Sequence, residues 1–185
     1  AINFAQLGQK VLLIDADMID RVLANLPADL SEAAAQALQR KHVQIRFGTQ
    51  VTDFNGQRVQ LKDGTEISSY TMIWAAGVRA AVLANELGSA QGAQARLVVT
   101  PELHLPEDER VYCIGDAAYQ ETKDGKPLPM VAPVAMQQGQ LAASNILHAM
   151  AGEPQRPFAY KDPGSLATIG RNQAVAQLGR FKFRG

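Results

Sequence analysis

The fold is decided by the stretch Val11-Leu12-Leu13-Ile14-Asp15. It is an apolar, partly β-branched run that ends in an acidic residue. Such a run is typical of a parallel-sheet strand that is buried on both faces. Residues 1–10 have the pattern of the last turns of an amphipathic helix. Residues 27–41 contain good helix formers, with Asp29 or Ser31 available as the cap. We therefore expect the run to be a strand between two helices.

An antiparallel insertion is predicted next. Polar and apolar residues alternate in residues 49–54 and 58–61, and Asn55-Gly56 between them is a strong hairpin signal. Lys62-Asp63-Gly64-Thr65 predicts a second turn, and residues 70–77 predict a buried strand. The order of these segments is typical of the back half of an α/β nucleotide-binding unit, a partial Rossmann-like domain whose parallel sheet carries a small antiparallel β-meander.

The later part of the chain predicts further short elements. Residues 97–100 and 111–116 have the pattern of strands, and residues 135–150 that of a helix. Basic and aromatic side chains alternate in residues 179–185, which favours an edge strand. The alternative for this last segment is a membrane-surface or interface element.

Length and charge limit the function classes. The chain has 185 residues, 46% of them hydrophobic, with 18 basic and 18 acidic side chains. At about 150 residues per domain, this length allows one domain or parts of two. The balanced charge excludes a general nucleic-acid binder. No apolar run reaches the roughly 18 residues of a membrane span and no signal peptide is recognisable, so we expect a cytoplasmic protein.

Cysteine and histidine are too sparse for a local redox or metal motif. Cys113 is the single cysteine, which excludes an internal disulfide, a dithiol pair and a cysteine-based zinc site. His42, His104 and His148 lie too far apart in the sequence for a metal motif. The prediction is therefore that the protein has no metal site.

Three predicted strand ends carry residues suited to ligand binding, which open α/β sheets place at the carboxyl edge of their strands. Asp15 can accept hydrogen bonds from both hydroxyls of an adenosine ribose, or it only caps the turn after its strand. Ala76 and Gly77 permit either close approach of a ligand or tight packing of strand on helix. Gly115 likewise permits close approach of a ligand or tight packing of strand on helix. Asp116 can bind a polyol hydroxyl or cap the following turn.

The predicted helix near residue 135 opens with small residues, Val131-Ala132-Pro133-Val134-Ala135. Backbone N–H groups at such a helix start can donate to an electron-rich ligand oxygen. Gln137 and Gln138 can bind a carbonyl ligand without titrating, or they are surface amides of the first turns.

Taken together, five blocks resemble type II NADH dehydrogenase, the single-subunit NADH:quinone oxidoreductase of the two-dinucleotide-domain flavoprotein superfamily. Each block is weak alone, but all five occur in the family's order over nearly the whole chain. They are Ile14-Asp15, Ile73-Trp74-Ala75-Ala76-Gly77-Val78, Ile114-Gly115-Asp116, Val131 to Gly139, and Gly164-Ser165-Leu166-Ala167-Thr168-Ile169-Gly170-Arg171.

The resemblance implies an NADH site. Asp15 would bind the adenosine ribose of NADH, and Ala76 and Gly77 would line the path of the nicotinamide dinucleotide. These residues fall within a predicted NADH-binding domain, residues 1–103, which lacks its first strand and glycine loop.

The resemblance also implies an FAD site and a quinone site. Gly115 and Asp116 would hold the ribityl and pyrophosphate region of FAD. Ala132, Ala135 and Gln137 would lie against the isoalloxazine and border the quinone. Residues 104–152 would be the carboxy-terminal part of the FAD-binding domain, and residues 153–185 the start of a carboxy-terminal region.

The implied parent enzyme passes electrons from NADH through FAD to a membrane quinone, and this fragment alone is expected to be inactive. The parent would be bound peripherally to the cytoplasmic face of the inner membrane. An unpaired sheet edge left by the absent first strand predicts a dimeric or domain-swapped arrangement.

Two alternatives remain open. One is another two-dinucleotide-domain flavoprotein reductase, such as a ferredoxin reductase or a sulfide:quinone reductase. The sulfide enzyme would need redox cysteines, and Cys113 lies in a predicted strand, where a buried structural thiol is expected. The other is an isolated, non-catalytic nucleotide-binding module.

Overall fold

The computed structural model describes residues 5, 9–14, 20–122 and 124–185. Contacts divide the chain into two compact units. The first comprises Ala1–Ala76 together with Pro163–Gly185, and the second comprises Gly77–Asp162. This division does not test the predicted domain limits, which concern cofactors and stay a prediction.

The α-helices whose bounds lie within the described residues are α1 (Ala28–Arg40), α2 (Leu83–Glu86) and α3 (Ala132–Ala151). The strands are β1 (Val11–Ile14), β2 (Val43–Arg46), β3 (Val51–Phe54), β4 (Arg58–Leu61), β5 (Glu66–Ser68), β6 (Leu97–Val98), β7 (His104–Leu105), β8 (Asp108–Tyr112), β9 (Ala118–Tyr119), β10 (Ser165–Thr168), β11 (Ala174–Leu178) and β12 (Phe181–Arg184). Short 3₁₀ turns span Ala93–Ala95 and Gly115–Ala117.

The first unit contains a parallel strand pair that includes the strand predicted at Val11–Ile14. β1 and β2 run parallel, with Val11 opposite Val43, and α1 lies between them in sequence. The prediction of a mixed α/β fold is confirmed. However, β1 is half-buried rather than buried on both faces, because β2 is its single neighbour among the described residues.

The start of α1 differs from the prediction. Pro27 is the N-cap, and neither Asp29 nor Ser31 caps the helix with its side chain. Asp29 instead accepts hydrogen bonds from Lys182 Nζ at 2.8 Å and Arg184 Nη2 at 2.7 Å. These hydrogen bonds hold the pKa of Asp29 below its usual value, and the bond from Lys182 has the largest effect. Two cationic side chains that are distant in the sequence thus bind the Asp29 carboxylate, which does not cap the helix.

The antiparallel meander is confirmed, in the order β3-β4-β5. Asn55 Oδ1 accepts from the backbone N–H groups of Gln57 at 3.0 Å and Arg58 at 2.8 Å. Asp63 Oδ1 accepts from the N–H of Thr65 at 2.9 Å. Both turns are therefore fixed by a side chain within the turn itself.

The strand predicted for residues 70–77 is wrong. These residues have no strand conformation, and the side chains of Tyr70, Ile73 and Trp74 are 84%, 67% and 59% exposed. A strand is stabilised by ladder bonds to a neighbour. Among the described residues no strand pairs with this segment, so its apolar side chains are not buried.

β10, β11 and β12 form an antiparallel sheet with β12 at its edge, as the sequence predicts. Val175 on one face of this sheet is buried in a core with Leu30, Ala34 and Ala37 of α1. Those three residues recur at helical spacing, which explains why α1 presents one apolar face to the sheet.

The second unit packs short strand pairs against α3. β6 pairs parallel with β9, and β7 pairs antiparallel with β8. The strand predicted for 111–116 instead ends at Tyr112, and Gly115 has φ +65°, outside the extended region. α3 confirms the predicted helix and ends at Ala151, with Gly152 as its C-cap at φ 69°.

Cys113 is a buried core thiol, together with Leu97, Leu103 and Leu105. This burial raises the pKa of the thiol above its usual value, so it stays protonated at neutral pH. Within the described residues, none of the helices combines the length and apolarity needed to span a bilayer.

Gly164 gives a testable property of the first unit. Its φ is +102°, and an added Cβ would meet the carbonyl oxygen of Gln177 and the Cα of Leu178. We expect Gly164→Ala to lower the free energy of unfolding by roughly 2–4 kcal/mol, from backbone strain plus overpacking. Denaturant unfolding measures it.

Gly179→Ala is the matched control, because Gly179 has φ +56° and open space around the added Cβ. Its expected loss is only about 1 kcal/mol. Equal losses of unfolding free energy in the two variants would contradict the close packing of Gly164 against Gln177 and Leu178.

Candidate functional site

The predicted NADH residues are only partly described. Asp15 lies outside the described residues, so its role stays a prediction. Ala76 is half-buried, and Gly77 is exposed with φ +84° and nothing within 4 Å of an added Cβ. They do not end a strand, because residues 70–77 form none. The structure therefore does not place them at a sheet edge.

The Gly115–Ala117 turn presents an exposed carboxylate. β8 and Cys113 lead into the turn, and the side chain of Asp116 lies exposed to solvent. No hydrogen bond or ion pair to this carboxylate is found within residues 20–122 and 124–185. The group is therefore available to accept hydrogen bonds from ligand hydroxyls.

Small residues of α3 pack directly against this turn. A Cβ added to Gly115 would lie 3.2 Å from the Cβ of Ala135, and one added to Gly139 would lie 3.6 Å from Ile114 Cδ1. Ala135 and Gly139 are one helical turn apart, so they share a face. The absent side chain of Gly115 therefore makes room for α3, the packing alternative left open above.

A buried amide joins the helix to the same turn. Gln138 is 1% exposed, and its Oε1 accepts from the N–H of Gly115 at 2.7 Å. Its Nε2 donates to Gln120 Oε1 at 3.4 Å. The alternative that Gln138 is a surface amide is wrong, because the turn and the strand segment after it cover the side chain.

The first turn of α3 offers fewer free N–H groups than the sequence suggests. The N–H groups of Val134 and Ala135 both donate to the Val131 carbonyl, at 3.1 and 3.3 Å. Pro133 has no N–H to donate. Ala132 is exposed at the start of the helix.

Gln137 is paired with the backbone of Lys161. Its Nε2 donates to the Lys161 carbonyl at 2.8 Å, and its Oε1 accepts from the Lys161 N–H at 3.0 Å. Both ends of the amide are thus used within the protein. A ligand carbonyl would have to compete with Lys161 for the Nε2 donor.

Asn145 makes the same kind of pair, and the sequence analysis did not identify it. The residue is 0% exposed, and it bonds both the N–H and the carbonyl of Arg156 at 2.9 Å. Its Nδ2 also donates to the Glu102 carbonyl at 3.0 Å. The available signal was a lone asparagine in a mostly apolar stretch of helix.

Two tyrosines near the turn have raised pKa values. Burial raises the pKa of Tyr112, whose hydroxyl donates to Gln155 Oε1 at 2.7 Å. The hydroxyl of Tyr119 donates to Glu121 Oε1 at 2.8 Å, and this bond raises the pKa of Tyr119. Metal-ligating side chains form no cluster of three or more in the described part of the chain.

The sequence pattern of one family, pyridine nucleotide-disulphide oxidoreductase, matches residues 1–139. The chain belongs to this family. The match includes the Gly115–Ala117 turn and the start of α3 up to Gly139.

Individual members of the oxidoreductase family are similar along most of the chain. A type II NADH:quinone oxidoreductase of Mycobacterium tuberculosis is 36% identical over 95% of this chain. One of Haemophilus influenzae is 30% identical over 91%. This chain spans only 39% and 38% of the length of these two relatives.

Solved structures share the fold. NDH2 of Plasmodium falciparum in complex with NADH has a TM-score of 0.81 at 16% identity, covering 95% of this chain and 51% of that one. A ferredoxin reductase of Rhodopseudomonas palustris has a TM-score of 0.69 at 15% identity, covering 98% and 49%. At these identities the likeness concerns the fold alone.

Proposed function

We propose that the chain supplies part of an FAD-dependent oxidoreductase that transfers electrons from NADH to a membrane quinone. The observation that carries the proposal is the similarity to type II NADH:quinone oxidoreductases along at least nine tenths of the chain. The part by itself would not run the reaction, since it spans about two fifths of those relatives.

The Gly115–Ala117 turn fits the polyol part of FAD. Asp116 is exposed, and its carboxylate is not engaged by any described residue, so it can accept hydrogen bonds from ribityl hydroxyls. Gly115 keeps the turn close to α3. In this proposal Asp116 binds the cofactor, while Gly115 and Ala135 set the position of its backbone.

For NADH, we propose Asp15 as the ligand of the adenosine ribose, with Ala76 and Gly77 along the dinucleotide. An acidic residue at the end of the second strand of such a unit favours a ribose over a 2′-phosphate. β1 and β2 support this assignment, because Asp15 directly follows β1 in a parallel pair.

For the quinone, we propose Ala132, Ala135 and Gln137 as neighbours. The Gln137 amide is neutral and half-buried, so it can donate to a quinone carbonyl without changing charge. To do so, its Nε2 exchanges the Lys161 carbonyl for the ligand. The segment at Lys161 would then rearrange when quinone binds.

Bound FAD supplies the redox chemistry, a two-electron exchange between nicotinamide and quinone. The described residues contribute binding and orientation: Asp116 accepts from the cofactor, and α3 fixes the turn that carries it. We propose the corresponding domains as residues 1–103 for NADH, 104–152 for FAD and 153–185 for the start of the carboxy-terminal region.

We also propose that this chain forms a dimeric or domain-swapped arrangement, and that the full-length protein binds peripherally to the cytoplasmic face of the inner membrane. The register of β10–β12 places Leu166, Leu178, Phe181 and Phe183 on one face of the sheet, and all four are exposed. An exposed apolar patch of this kind favours contact with another surface. Arg180 adds a cation, 5.1 Å from the centre of the Phe181 ring.

Association is tested on the 185-residue chain, and attachment is tested on the full-length protein. We expect sedimentation velocity to give a dimer, and flotation with anionic phospholipid vesicles to carry the protein upward. A monomer at high concentration would contradict the dimer, and protein that stays at the bottom of the gradient would contradict the attachment.

The proposed reaction is tested by the visible spectrum and an NADH oxidation assay. We expect the purified full-length protein to show flavin absorbance and to oxidise NADH when a soluble quinone analogue is added. Flavin without quinone reduction would contradict the proposal and favour a ferredoxin-type reductase. NADH binding without flavin would instead favour a non-catalytic nucleotide-binding module.

A further inference from the structure

We propose that Gln138 is the positioning residue for Asp116, and that it acts through the backbone of Gly115. This inference rests on the proposed function, because it takes Asp116 to be a ligand of FAD. Gln138 is 1% exposed, so its side chain acts on protein groups and not on the cofactor.

The Gln138 amide is oriented by its second partner. Its Nε2 donates to Gln120 Oε1 at 3.4 Å, and Gln120 Nε2 in turn donates to the Thr100 carbonyl at 3.4 Å. This chain of donors leaves Gln138 Oε1 directed at the N–H of Gly115, at 2.7 Å. The acceptor that Gly115 needs is therefore preset.

Both backbone polar groups of Gly115 are hydrogen-bonded. Its N–H donates to Gln138, and its carbonyl accepts from the N–H of Ala118. Its left-handed φ of +65° and its contact with Ala135 fix the direction in which the chain continues. Asp116 follows immediately, and no other described group holds its side chain. Its orientation therefore depends on how Gly115 is held.

Other residues of α3 do not substitute for Gln138. Gln137 is engaged with the backbone of Lys161, and Gln140 is exposed. Without Gln138, the part-buried N–H of Gly115 would lose its acceptor, and a polar group left unpaired in this way is costly. The turn would relax toward a conformation that exposes this N–H to water, and Asp116 would move with it.

A double-mutant cycle on the deflavinated full-length protein tests the inference, with FAD affinity measured by fluorescence titration. Asp116→Ala is expected to weaken FAD binding about tenfold to a hundredfold, because it removes hydrogen bonds to a charged acceptor. Gln138→Met, of similar length but with no amide, is expected to weaken binding about tenfold. The double variant should be no weaker than Asp116→Ala alone, because both changes affect one contact.

Gln140→Met is the matched control, an exposed glutamine of the same helix, and it should leave FAD affinity unchanged. The visible circular dichroism of the bound flavin should change in Gln138→Met and not in Gln140→Met. Gln138→Asn keeps a buried amide but shortens it by one methylene, so it covers the case in which Gln138→Met does not fold. It should also weaken FAD binding severalfold.

Losses that add in the double variant would overturn the inference, because Gln138 would then not act through Asp116. Unchanged affinity in Gln138→Met or in Gln138→Asn would overturn it as well. Absence of FAD binding by the unsubstituted protein would overturn the proposed function and this inference with it. If the unsubstituted protein binds FAD but the variants do not behave as expected, only this inference is overturned and the proposed function is not.

Discussion

Buried side-chain amides of α3 bind the backbone of neighbouring irregular segments, and the candidate site depends on these bonds. Gln138 holds the Gly115–Ala117 turn, and Asn145 holds Arg156 by both its N–H and its carbonyl. Peptide groups in irregular segments have no ladder partners, so a side chain must satisfy them when they are buried. The helix thereby positions the turn that carries Asp116.

Local signals predicted the parts of the fold that residues close in sequence stabilise. Asn55 and Asp63 bond backbone N–H groups two or three positions away, and both turns of the meander form as the sequence indicates. The Gly-Asp pair at 115–116 was likewise recognised as a candidate ligand site. The structure adds that Gly115 makes room for α3, a contact that depends on tertiary packing.

Features that depend on distant residues were missed. Residues 70–77 are apolar enough for a strand. A strand also needs a neighbouring strand to pair with, and the pattern of one segment does not show whether such a neighbour exists. Asp29 looked like a helix cap, yet it pairs with Lys182 and Arg184 from the other end of the chain. Asn145 bonds a carbonyl 43 positions away, at Glu102, and periodicity gives no indication of such a partner.

Backbone amide hydrogen exchange at Gly115 and Arg156 tests most directly whether α3 orders the segments around it. Gly115 begins a short 3₁₀ turn and Arg156 lies in an irregular segment, and each donates its N–H to a buried side-chain amide. In the full-length protein we predict that both amides exchange at least about tenfold more slowly than the amide of the exposed residue Arg79. Exchange at Gly115 and Arg156 as fast as at Arg79 would contradict the account.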